Sequence, residues 1–200
     1  MQDYKTVISI ITVILSIVGY IPYHIDIYKG KTTPHVYSWF IWGLSTAIAF
    51  ALQVSAGAGV GSWMTLVIAL NAFFIFFLGL RDGKKDVTRS DTIFFVLSLV
   101  ALVIWLVANQ PVVSIVLIST VEMLGFIPTI RKSWNKPHSE TLFMYSLSAF
   151  RHGLSIFALQ QLNIITWLYP VTWALANAFF SIMLILRRGK VLKNKSWMTY

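Results

Sequence analysis

Residues 6–28 read TVISIITVILSIVGYIPYHIDIY, an apolar run carrying one proline, Pro22, and one acid, Asp26. A helix needs ~20 predominantly apolar residues to cross ~30 Å of hydrocarbon. The run exceeds the ~7–15 residues of a signal-peptide core, lacks a basic n-region, and has no small-residue cleavage pattern. It reads as a first membrane helix rather than a cleaved leader.

Working outward, six further runs qualify, at about 36–56, 60–80, 91–109, 112–131, 141–161 and 163–186. Turn-forming and charged residues separate them: Lys29 to Pro34, Gly57-Ala58-Gly59, Arg81 to Arg89, Asn109-Gln110-Pro111, Arg131 to His138, and Gln160 to Asn163. Gly57, Gly59 and Gly61 suggest a tight outer turn, since neither a preceding strand nor a following lysine supports a phosphate loop. Hydrophobic residues make up 57% of the chain and charged residues 12%, against ~25% charged in a soluble domain. The expected class is an all-α membrane protein with seven transmembrane helices, multi-pass in the cell membrane and with the lipid bilayer as its solvent. With no cysteine, disulfides and thiolate metal sites are excluded, and no cofactor or metal is expected.

The net charge of +9 is unevenly spread. The N-terminus and every second loop carry Lys5 alone. The opposite side carries Lys29, Lys31, Arg81, Lys84, Lys85, Arg89, Arg131, Lys132, Lys136, Arg187, Arg188, Lys190, Lys193 and Lys195, fourteen against one. Lys and Arg collect on the cytosolic side, which gives an N-out, C-in orientation. The bilayer thus accounts for the basic balance, and no nucleic-acid partner is expected.

The chain repeats at an offset of 106 residues. Gly19-Tyr20-Ile21-Pro22 matches Gly125-Phe126-Ile127-Pro128, Asn71-Ala72-Phe73-Phe74 matches Asn177-Ala178-Phe179-Phe180, and Arg81, Gly83 and Lys84 match Arg187, Gly189 and Lys190, all without a gap. Two three-helix units are implied: 6–86, then a linker helix at 91–109, then 112–190, followed by a cytosolic tail at 191–200. The extra helix makes the two repeats parallel. Such repeats are related by an axis along the membrane normal, with a substrate site between them near mid-membrane.

A proline late in the first helix of each unit, then a basic loop and an aromatic second helix, resembles the PQ-loop superfamily. The 3+1+3 plan with one asparagine in the third helix of each unit is most similar to SWEET sugar transporters. Tyr23 and Thr129 stand where the glutamine of the PQ pair would be. The resemblance implies that Asn71 and Asn177 contact a small-molecule solute from opposite sides, and that Pro22 and Pro128 are hinges in gating.

The residues allow more than one reading. A buried amide must be paired, so Asn71 and Asn177 serve either a ligand or helix–helix adhesion. The prolines remove a backbone hydrogen bond and give either a fixed kink or a hinge. Asp26, Glu122, Arg151 and His152 are ionisable groups within apolar helices, where charge is expensive and signals function. Glu122 and Arg151 fall at similar depth in consecutive antiparallel helices, which suggests an ion pair, structural or coupled to a proton. Their counterparts in the first unit are Ser16 and Ser45, so the charge is confined to one half and suits an asymmetric or charged ligand. Asp26 is expected to pair with Lys29 or reach water, and His152 to be a packing histidine. Trp42, Thr46 and Trp173 are candidate cavity residues beside the asparagines, while Trp39 reads as an interfacial belt tryptophan.

Three functional classes follow: a small-solute transporter (sugar or other polar metabolite, with or without proton coupling), a ligand or cargo receptor on a plan like the KDEL receptors, and an intramembrane enzyme. Arg151 is a lone deep cation where such receptors have a strongly basic cavity, and no catalytic constellation stands out, so the transporter leads. A homo-oligomer is among the assemblies the sequence permits. Reporters fused after Tyr200 and inserted between residues 82 and 89 should both read as cytosolic; an external signal from either overturns the orientation.

Overall fold

Buried and exposed residues of residues 142–155 invert the pattern of a soluble helix. Ser148, Arg151, His152 and Ser155 face inward, while Phe143 and Phe150, and Phe157 just beyond, face outward. The same inversion occurs in residues 3–28, where Ser9, Thr12 and Ser16 are buried and Val7, Ile10, Ile14, Ile17, Ile21 and Ile25 are exposed. Large apolar surface facing outward needs an apolar surrounding, and a helix satisfies its own backbone there.

A computed structural model describes residues 3–82, 87–108 and 110–196. Gly83, Lys84, Lys85 and Asn109 lie outside the described residues. The described residues form seven α-helices: α1 (Asp3–Tyr28), α2 (Val36–Ser55), α3 (Trp63–Asp82), α4 (Arg89–Ala108), α5 (Pro111–Asn135), α6 (Leu142–Ser155) and α7 (Ile164–Ser196). Short 3-10 turns cover Gly59–Ser62 and Ile156–Ala158. Gly57 and Gly59 take positive φ of 79° and 57° to make the turn before α3, a conformation cheap only for glycine.

Among the described residues, five segments are long and apolar enough to cross a membrane: Tyr4–Tyr28, Val36–Ser55, Gly59–Arg81, Pro111–Asn135 and Ile164–Lys190. α6 is shorter than the run at 141–161, with 14 residues before the chain tightens into the 3-10 turn. At about 1.5 Å per residue its α-helical part is roughly 21 Å long. α7 continues to Ser196, past the end placed for the second unit, because Gly189 alone does not stop a helix.

Local signals set several helix starts. Thr88 and Asp91 form a reciprocal cap at α4: Thr88 N donates to Asp91 Oδ2 at 2.9 Å, and Asp91 N to Thr88 Oγ1 at 3.4 Å. Asn163 Oδ1 accepts from the backbone N–H of Ile165 and Thr166 at 3.1 and 3.2 Å, capping α7. Pro111 opens α5, where its missing N–H costs nothing.

Helix contacts describe a closed ring. α1 packs on α3, α3 on α2, α2 on α5, α5 on α7, α7 on α6, and α6 back on α1; α4 lies outside, against α5 and α2. Two of the seams, α1–α6 and α2–α5, use residues that match under the 106-residue sequence offset. A Cβ added at Gly19 would come within 3.1 Å of Leu147, and one at Gly125 within 2.9 Å of Ile41. These glycines open the repeated Gly-Tyr-Ile-Pro and Gly-Phe-Ile-Pro blocks, so the repeated residue is the one that lets the opposing helix approach. Gly125→Val should therefore destabilise the detergent-purified protein by roughly 1–3 kcal/mol through overpacking. Gly153→Ala, with nothing within 4 Å of the added carbon, should be neutral or stabilising by up to ~1 kcal/mol. Thermal unfolding of both variants checks this, and equal effects would contradict the seam.

Candidate functional site

Inside the ring lies a cavity of about 30 Å³. Its walls come from α1 (Tyr20), α2 (Trp39, Trp42, Thr46), α3 (Ile68, Ala72), α6 (Met144, Tyr145, Ser148, Arg151, His152) and α7 (Trp173, Asn177). About 10–15 Å³ suffices for one water, so the space is on the scale of a few waters and a solute requires the walls to part.

Of the residues singled out in the sequence, Trp42, Thr46, Trp173, Asn177, Arg151 and His152 meet at this cavity, His152 with its Nδ1 2.8 Å from Ser148 O. Trp39 joins them: it is 2% exposed and lines the wall, so it is not a belt residue. Its indole donates inward to Tyr23 Oη at 3.2 Å, which is what turns it from the interface. The asparagines do not meet there. Asn177 lines the cavity, whereas Asn71 is partly buried and away from it, its helix presenting Ile68 and Ala72 instead. Both amides bond back to their own helix: Asn71 Nδ2 to Val67 O at 2.9 Å and Asn177 Nδ2 to Trp173 O at 2.7 Å. Pro22 and Pro128 sit within unbroken α1 and α5.

Glu122 is fully buried one layer behind the cavity. Ser45 Oγ lies 2.7 Å and Thr46 Oγ1 3.0 Å from its Oε1, and the Trp173 indole donates to its Oε2. Tyr169 Oη extends the chain from Thr46 at 2.8 Å, and Trp42 Nε1 donates to the Glu122 carbonyl at 3.2 Å. Ser45 Oγ is also 2.6 Å from Ile41 O. A hydroxyl has one proton to give. With its hydrogen directed to Glu122 Oε1, Ser45 serves an ionised carboxylate; with its hydrogen directed to Ile41 O, it can accept from a protonated Glu122. The geometry accommodates both states.

Glu122 and Arg151 do not form the ion pair that their equal depth suggests; among the described residues no salt bridge joins them. Arg151 Nη1 donates to Ser16 O at 3.2 Å, and its guanidinium lies 4.7 Å from the Tyr20 ring centroid. The reason is the packing: α5 lies against α2 and α6 against α1. Glu122 meets the Ser45 hydroxyl and Arg151 the Ser16 backbone carbonyl, at positions that correspond under the 106-residue offset. Asp26 also finds a partner other than Lys29, accepting from Thr141 Oγ1 at 2.7 Å.

A second buried cluster was not singled out in the sequence. Glu140, 1% exposed, pairs with Lys132, and its Oε2 accepts from Tyr23 Oη at 2.9 Å and Tyr145 Oη at 3.1 Å. Lys132 also donates to Thr33 O. Through Tyr145 and Trp39 this cluster forms one end of the cavity. Beside it, Arg131 holds Asp91 in a two-pronged bond at 2.9 and 2.6 Å. His35 Nε2 is 3.4 Å from the same carboxylate, and burial pushes its imidazole down to about 4, so Arg131 is the cation that serves Asp91. The available signal was an acid, Glu140, beside a basic loop at a helix start; Lys132 had counted only toward orientation. At the other end Gln160 N donates to Ala58 O at 3.2 Å, and Gln53 bridges Thr65 and Thr166 O at 2.7 and 3.3 Å.

Removing one member of a buried ion pair leaves an uncompensated charge costing roughly 3–5 kcal/mol. Lys132→Met and Glu140→Gln should each lower stability on that scale, and the double variant should recover most of it, as read by thermal unfolding; additive losses would contradict the pair. The chain matches no family model, no curated protein and no solved structure, so the site rests on its own geometry.

Proposed function

We propose that the chain is a small-solute transporter of the PQ-loop, SWEET-like plan, working by alternating access in the cell membrane, with all seven helices spanning it and two parallel three-helix units related as the repeat suggests. The observation that carries this reading is the cavity itself: it lies inside the ring, is walled by helices of both units, and has polar contacts between helices at each end. The closed ring with α4 outside supports the 3+1+3 plan, and the equivalent seams support a two-fold relation of the units.

The two ends differ in a way that suits gating. One is closed by the Glu140–Lys132 pair and its tyrosines, the other by backbone bonds between turns. Opening one while the other holds exposes the cavity to one face at a time, and Pro22 and Pro128 are the hinges of α1 and α5. Asn177, Trp42, Thr46 and Trp173 contact the solute. Asn71, turned away, is a helix-packing residue. Glu122 carries the proton: it is linked to the wall by Thr46 and Trp173, and Ser45 can serve either protonation state.

Uptake into proteoliposomes, screened over sugars, amino acids and organic acids with and without a pH gradient, tests this. Glu122→Gln should keep solute exchange and lose pH-driven accumulation. Asn177→Ala should weaken flux by a factor corresponding to about 1–3 kcal/mol, while Asn71→Ala leaves it close to wild type. Retention of a ligand without flux would favour a receptor, and equal effects of the two asparagine variants would contradict the placement of the site.

A further inference from the structure

We propose that the cavity is a site for a small hydroxy carboxylate, with Arg151 on the carboxylate and His152 on the hydroxyl; this deepens the transporter reading and rests on it for the site's purpose. Arg151 and His152 are adjacent in α6, both line the cavity, and they are 1% and 2% exposed. Each keeps a buried nitrogen with no hydrogen-bond partner: Nε of Arg151 and Nε2 of His152. Buried polar atoms in native proteins are nearly always paired, so two orphans from adjacent residues in one cavity wall point to a ligand.

Their chemistry differs and is complementary. Arg151 has donors only, in a planar fork that matches a carboxylate. Its guanidinium is held from behind by Ser16 O and the Tyr20 face, which fix it without neutralising it. No carboxylate of the described residues pairs with it. His152 Nδ1 lies 2.8 Å from Ser148 O. A carbonyl only accepts, so Nδ1 holds the proton and Nε2 of the neutral ring is an acceptor. A hydroxyl beside the bound carboxylate can donate to it. An ammonium there would lie next to the Arg151 cation. The Trp42 and Trp173 rings supply an apolar wall for a short carbon chain, and Glu122 stands behind them with its oxygens occupied by Ser45, Thr46 and Trp173.

The full-length protein, purified in detergent, is titrated with lactate, propionate, lactamide and glucose while tryptophan fluorescence is read, since Trp39, Trp42 and Trp173 line the cavity. Lactate should bind, propionate should bind at least about tenfold more weakly for want of the hydroxyl, and lactamide and glucose should not compete with lactate. Arg151→Gln should abolish lactate binding. Should that variant fail to fold, His152→Phe, which keeps the guanidinium, should reduce lactate to the affinity of propionate. Lactamide or glucose binding as tightly as lactate, propionate equal to lactate, or no binding by any carboxylate each overturns the proposal. Carboxylate binding without flux in proteoliposomes keeps this site and refutes transport. Flux of a neutral solute that survives Arg151→Gln keeps transport and refutes this site.

Discussion

Two ionisable side chains within apolar helices each find their hydrogen-bond partners across the boundary between the halves of the chain. Glu122 of α5 takes the hydroxyls of Ser45 and Thr46 from α2, and Arg151 of α6 takes the carbonyl of Ser16 and the face of Tyr20 from α1. Burying a polar group without a hydrogen bond is costly, so these contacts favour α5 beside α2 and α6 beside α1. Gly19 and Gly125 make them reachable by letting Leu147 and Ile41 close in on the helix backbone. With both seams fixed, α3 and α7 complete the ring and the space between the halves becomes the cavity.

The partition of polarity follows. Outward faces are largely isoleucine, valine, leucine and phenylalanine, while many serines and threonines, with Asn177, His35, His152 and Arg151, point in among aromatic and aliphatic side chains. In lipid such a fold gains little from burying apolar groups against one another. Packing and buried hydrogen bonds must hold it, which is why so many of its long-range contacts are hydroxyl, indole or carboxylate bonds.

Much of this was legible in the sequence. Helix number and order followed from apolar runs and their punctuation, and the seam glycines sit in the blocks that exposed the repeat. Six of the residues singled out there, Trp42, Thr46, Trp173, Asn177, Arg151 and His152, do gather at one cavity. Other features were not legible, for a common reason: a helical sequence gives depth along the axis but not rotation about it or choice of neighbour. Glu122 and Arg151 have the depth of a pair, yet consecutive helices α5 and α6 are not the neighbours that matter. Asn71 has the register of Asn177 but the wrong rotation. Trp39 has the position of a belt residue and turns inward because Tyr23 accepts its indole proton. Glu140 was masked by the basic residues around it, which read as an orientation signal.

The pairing of α5 with α2 rather than with its sequential neighbour α6 is the claim on which the rest stands, and the absence of native cysteine makes it directly measurable. A Cβ at position 125 falls 3.3 Å from the Ile41 Cβ, close to the ~3.5–4.5 Å that a disulfide spans. Mild oxidation in membranes of the Gly125→Cys/Ile41→Cys variant should form an intramolecular disulfide, read as loss of thiol labelling, whereas Gly125→Cys/Leu147→Cys should stay reduced. Cross-linking of the second pair and not the first would contradict the account.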